Sequence, residues 1–223
     1  MIRELGRRLL LVFSQPRNLP DPPPPASGQP ESAEVELVAY AEDCILSGRL
    51  RLDAERLSDL LNDHDEYELV DVLVEPLVDG TAVEAAHVVV ERDDLLLVHA
   101  TGPRGNPARR TRTRPHPVAL RIGPYQVRGY VHVPPGSHPI AGFRRRRTMV
   151  PLTDAWIEYS TPTGIARRRV STVIVNRHVV DWIVEADDEE IELPDLPVGP
   201  GQGRLVKDFT GQLMVDFGRR QRG

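Results

Sequence analysis

Apolar positions recur with a period of two over most of the chain between residues 34 and 184, the pattern of half-buried strands. Alternation over 34–40, 44–52, 69–77 and 86–99 predicts four strands, and 118–122, 126–133, 152–160 and 170–184 predict four more. One short helix is expected within each set. In the first it covers 54–62, with Leu57, Leu60 and Leu61 on one face and Asp53 placed as its N-cap. In the second it covers 140–147, after Pro134, Pro135 and Gly136. Hairpin turns are expected at Asp79-Gly80 and Thr163-Gly164.

The two sets align on one another. Gly48, Leu50 and Leu52 fall on Gly129, Val131 and Val133 at an offset of 81, Asp71 falls on Asp154, and Val98 falls on Ile183 after small shifts. Order and spacing of this kind predict an internal repeat. No connection is long enough for a parallel crossover, so antiparallel pairing follows. The expected fold is mostly β with short helices, a tandem duplication of a ββαββ unit forming two small antiparallel sheets or barrels. Unit one spans 34–98, a basic connector 99–116 and unit two 117–184.

Segments of another kind flank these units. Residues 1–15 read as a short amphipathic piece, since Ile2, Leu5, Leu9 and Val12 recur at helical spacing. Residues 16–33, with Pro20 and Pro22 to Pro25, read as an extended tether. Residues 185–223 open on an acidic, Pro/Gly-rich linker and end on Leu205, Phe209, Leu213 and Phe217, whose spacing fits helix or strand. Tethered apolar segments dock onto a partner or fold back on their own domain.

Stretch 56–62 (Arg-Leu-Ser-Asp-Leu-Leu-Asn) follows a strand of the form Gly-x-apolar-x-apolar and precedes one of the form Leu-x-Asp-apolar. In this it resembles a small bacterial domain of unknown function, over 48–98 and, more loosely, over 129–183. In the second copy the helix reads Pro139-Ile140-Ala141-Gly142 and ends in four arginines, a departure from that pattern. The resemblance implies no activity, cofactor or catalytic residue.

Charge changes the picture once it is divided along the chain. Residues 34–98 carry 18 acidic and 4 basic side chains, and residues 117–183 carry 3 acidic and 10 basic. Arg144, Arg145, Arg146 and Arg147, with Arg167, Arg168 and Arg169, are the strongest polar feature. They are expected to meet acidic protein surface, in this chain or a neighbour; a polyanion or plain solvent are the other readings.

Chemistry is sparse by comparison. There is no phosphate-binding glycine loop, no His-Glu-x-x-His and no Gly-x-Ser-x-Gly. The lone Cys44 lies in a strand and reads as packed. His132 and His138 flank a turn and would need outside ligands to hold a metal. Asp71 and Asp154, at matching positions, read as solvated or backbone-bonded rather than as an acid–base pair. No cofactor and no metal are expected. The apolar run 9–13 is too short for a signal-peptide core, no stretch is long enough to span a membrane, and a cytoplasmic location is expected. These features point to a noncatalytic interaction or assembly module that pairs with itself or a larger complex. The alternative is a nucleic-acid-binding regulator using the second unit's arginines.

Overall fold

The computed structural model describes residues 2–5, 9–12, 33–100, 111–187, 204–207 and 213–216. The chain forms two compact units, residues 1–191 and 192–223. The first opens with a hairpin of β1 (Ile2–Leu5) and β2 (Leu9–Val12), in which Ile2 pairs with Val12 and Leu5 with Leu9. The expected helical piece is therefore a pair of strands. So short an apolar segment is marginal as a helix, and pairing of two four-residue strands satisfies their backbone instead.

Ten further strands make one antiparallel sheet. The first half of the sheet contains β3 (Ala33–Tyr40), β4 (Cys44–Leu52), helix α1 (Leu57–Asp63), β5 (Glu66–Pro76), β6 (Val83–Glu91) and β7 (Leu97–Ala100). The second contains β8 (Arg114–Ile122), β9 (Tyr125–Val133), helix α2 (Pro139–Arg144), β10 (Met149–Thr161), β11 (Gly164–Asn176) and β12 (Trp182–Glu185). The hydrogen-bonded order is β12-β8-β9-β10-β11-β7-β3-β4-β5-β6. Two separate sheets were expected; β7 and β11 instead pair antiparallel and make the sheet continuous.

Other boundaries also differ from expectation. The strands expected over 86–99 and 170–184 are each two strands, broken by single 3₁₀ turns at Arg92–Asp94 and Arg177–Val179. Apolar alternation continues across those turns and hides them. Helix α1 starts at Leu57 with Arg56 as its N-cap, not Asp53, and α2 ends at Arg144. Leu57, Leu60 and Leu61 are buried, whereas in α2 the buried residues are Pro139 and Phe143 and Ile140 is only partly covered. Of the connector 99–116, Arg114 onward is strand β8, and 101–110 lie outside the described residues. The tether 16–33 lies outside them too, apart from Ala33.

The same registers occur in both halves. Leu37 opposes Gly48 as Val118 opposes Gly129, and both glycines stand beside a bulge that shifts the register of the neighbouring strand. Each bulge centres on an aspartate with left-handed backbone, Asp71 at φ 49° and Asp154 at φ 48°. Such a residue costs a β-branched side chain more than it costs Asp. A Cβ on Gly129 would lie 3.0 Å from the Ala155 Cβ and 3.1 Å from the Thr153 carbonyl oxygen. The bulge also explains the break in alternation: Leu69 is buried, and burial resumes at Val72 and Val74.

Each half has its own core. Leu46, Leu61, Val72 and Val88 lie in the first, and Val118, Tyr125, Phe143, Leu152 and Val173 in the second. The second compact unit contributes a hairpin of β13 (Arg204–Lys207) and β14 (Leu213–Asp216), with Leu205 opposite Val215 and Leu213 opposite Lys207. Phe209 and Phe217 lie outside the described residues.

The bulge geometry predicts a ranking in thermal melts. Gly129→Val should cost about 1–3 kcal/mol through overpacking, a fall of roughly 2–4 °C per kcal/mol for a chain of this size. Asp154→Val should also destabilise, while Asp154→Gly should leave the melting temperature unchanged or raise it. Equal melting of both Asp154 variants would contradict the bulge assignment.

Candidate functional site

The densest polar and aromatic grouping lies at the seam between the halves. β3 is buried on both faces: Leu37 and Ala39 enter the first core, and Val38 and Tyr40 enter the second. Tyr40 meets Tyr125 of β9 and Tyr159 of β10 edge-on, with ring centroids 5.3 and 6.1 Å away, and those two are 5.6 Å apart. His99 of β7 lies 5.7 Å from the Tyr40 ring. Offset and edge-on aromatic pairs of this kind add about 0.5–1.5 kcal/mol beyond the area they bury.

The Tyr40 and Tyr125 hydroxyls are partnered. Tyr125 Oη donates to the Ala41 carbonyl at 2.7 Å, and Arg168 of β11 donates from Nη1 to Tyr40 Oη at 3.4 Å. Burial pushes the Tyr40, Tyr125 and Tyr159 hydroxyls above their ordinary value, and Arg168 partly offsets this at Tyr40 and Tyr159. Burial works against the Arg168 charge, but Tyr40, Tyr159 and Glu75 together hold its pKa above the usual guanidinium value. Nearby Cys44 is fully buried and its thiol is pushed up to about 12, by burial first and Asp43 second. These shifts run opposite to those that activate a nucleophile. The hydroxyls and the thiol stay protonated at neutral pH.

A second set of contacts clamps α1 to β10. Asn62 donates from Nδ2 to the Met149 carbonyl and accepts the Met149 N–H at Oδ1, both at 2.9 Å. Arg147 reaches Asp63 Oδ1 at 2.6 Å and the Asn62 carbonyl at 3.1 Å. Asn176, fully buried, donates to the Arg92 carbonyl at 3.3 Å, and its backbone N–H donates to Leu96 at 3.0 Å. Met149 and Ile174 of the second half complete the first core.

The arginines singled out in the sequence are dispersed by the fold. Arg147 meets the acidic first half at Asp63, and Arg168 meets it at Tyr40. Arg146 donates to the His132 carbonyl and is half-buried, which lowers its pKa. Arg167 pairs with Glu158 across the β10–β11 ladder, Nε to Oε2 at 2.8 Å, and Arg169 lies over Trp156 at 5.7 Å. Arg144 and Arg145 are exposed at the end of α2.

The remaining sequence candidates stand apart from one another. His132 contacts Thr153 Oγ1 at 2.8 Å, with its pKa lowered by burial and Arg146, whereas His138 pairs with Glu185 at 3.3 Å. Asp71 accepts from the exposed Arg49. Among the described residues no group of His, Cys, Asp and Glu is placed to hold a metal ion. A void of about 10 Å³ in the first core, lined by Leu37, Leu50, Leu61, Tyr67, Leu69 and Val98 among others, is apolar and scarcely the size of one water.

The sheet ends on β6 and β12. Large apolar side chains exposed on these two strands are Val89 at 36%, Trp182 at 44% and Val184 at 48%. Neither the tyrosine cluster nor these edge residues was singled out from the sequence. The available signals were the unbroken apolar run Leu37 to Ala41, marking a strand buried on both faces, and a tryptophan in the short apolar run that closes the second half. A scan against protein-family models finds no match, and neither do searches of curated proteins and of solved structures.

The raised pKa values fix the sign of a pH dependence. A group whose folded pKa lies above its unfolded value binds more protons when folded, so its stabilisation is lost as pH rises. Cys44 starts from 9.0 and Tyr40 and Tyr125 from 10.0. The melting temperature should therefore fall progressively from about pH 9 upward, and Cys44→Ala should remove the earliest part of that decline. A melting temperature level to pH 11 would contradict the burial of these groups.

Proposed function

We propose that the protein is a noncatalytic assembly module, a tandem duplication of one β-rich unit that associates with copies of itself or docks onto a larger complex. The observation that carries this reading is the segregation of charge along one continuous sheet. The 18 acidic and 4 basic side chains of 34–98 lie in the half that ends on β6, and the 3 acidic and 10 basic of 117–183 in the half that ends on β12. Halves of opposite net charge favour contact between unlike halves and oppose like-with-like contact. Support for the duplication comes from the recurring registers and the paired Asp71 and Asp154 bulges. The hairpins at Ile2–Val12 and Leu205–Asp216 are further docking elements in this reading.

The nucleic-acid reading draws less support, because Arg146, Arg147, Arg167, Arg168 and Arg169 all have contacts within the chain. Light scattering after size exclusion is the test. The molar mass should exceed the 24.9 kDa of one chain at low salt and fall toward it as salt is raised, since screening weakens exposed charge. A monomer mass at every salt and protein concentration would overturn self-association.

A further inference from the structure

We infer that the β1–β2 hairpin is exchanged between copies, the hairpin of each chain covering the β6 edge of the other. This rests on the self-association reading above and names the surface it uses. Two positions in the sheet correspond. Val70 and Val72 flank the Asp71 bulge opposite His87 and Ala85, as Thr153 and Ala155 flank Asp154 opposite Thr172 and Val170. β6 therefore holds the place in the first half that β11 holds in the second. A four-residue strand lies beside each: β7 beside β11 and β2 beside β6.

These two covers are held differently. β7 pairs with β11 on one side and with β3 on the other, whereas β2 belongs to a separate two-stranded sheet and adds no ladder to β6. A strand held without ladder bonds is released at lower cost than a paired one. Charge selects the hairpin as the occupant of this edge. Glu84 and Glu91 on β6, with Glu66 and Glu68 on the adjoining β5, are exposed, so an acidic strand is repelled. Residues 1–12 carry Arg3, Arg7 and Arg8 against Glu4, and β2 itself reads Leu-Leu-Leu-Val. An apolar strand with cationic flanks suits an edge that combines the exposed Val89 with these carboxylates.

The connection favours a cover supplied by another chain. Between Val12 and Ala33 lie 20 residues, of which seven are proline. In the extended form that such a composition favours, they reach about 60 Å. β6 is three strands from β3, about 15 Å across the sheet. A stiff tether much longer than its span lowers the effective concentration of its own end and brings a neighbour's edge within reach. Reciprocal exchange covers both β6 edges and closes as a dimer, with no hairpin left over.

The experiment uses the full chain and two variants of it, each checked for an unchanged circular dichroism melt. Leu10→Pro breaks the hairpin ladder and leaves β6 intact; Val89→Lys adds a cation to the edge and leaves the hairpin intact. If either melts early, Arg7→Glu with Arg8→Glu replaces the first and Glu91→Lys the second. The parent should be a dimer by light scattering, and each variant alone should associate at least about tenfold more weakly. Mixed one to one, the variants retain one sound hairpin and one sound edge and should recover a dimer containing one of each. Either variant assembling like the parent would overturn the exchange while leaving self-association standing. Loss of assembly in both with no recovery in the mixture would overturn it in favour of a hairpin that covers β6 of its own chain. A parent that is monomeric at every salt and protein concentration would overturn both readings.

Discussion

The β7–β11 pairing is the constraint on which the rest of the sheet depends. It involves two residue pairs, Ile174 with Val98 and Val175 with Leu97, and so few ladder bonds hold two five-stranded halves only with help from their side chains. That help comes from strands that bury both faces. Leu97 and Val98 point into different cores, as do Val38 and Ala39. Neither core closes without residues from the other half, so folding of the two halves is coupled although each has a complete set of strands.

Polar contacts at the seam set register where apolar packing alone would allow sliding. The reciprocal bonds between Asn62 and the Met149 backbone fix α1 against the start of β10. Asn176 caps the 3₁₀ turn that follows it by accepting from His178, while donating to Arg92 in the other half. Ion pairs such as Arg147 with Asp63 are more than half exposed and contribute about 0–1 kcal/mol. Geometry is their main contribution, and the tyrosine cluster supplies the buried area.

Most of the strands were legible because one-sided burial writes a period of two into the sequence; β3, β4, β8 and β9 fall within a few residues of expectation. The splits at Arg92–Asp94 and Arg177–Val179 were not legible. A three-residue turn shifts the chain without interrupting apolar spacing for long, and Leu95 to Val98 read as a continuation of β6. The bulges escaped for a related reason: Asp71 and Asp154 were visible as a matched pair, but a left-handed φ leaves no mark on composition. The arginine runs were legible as charge and not as a site. Alternation along β11 sends Arg167, Arg168 and Arg169 to different partners, Glu158, Tyr40 and Trp156.

Residues at matching register positions differ between the inner seam and the outer edges. Tyr40, Ile45 and Leu96 make the inner surface apolar, whereas Arg121, Gln126 and Asp181 stand at the corresponding outer positions. A sheet whose every junction were apolar would be as adhesive at its ends as in its middle. Charged residues at the outer positions lower that adhesion, and Asp181 is further committed to the Gly123 N–H at 3.1 Å. Val89, Trp182 and Val184 keep part of the apolar character that the inner seam uses.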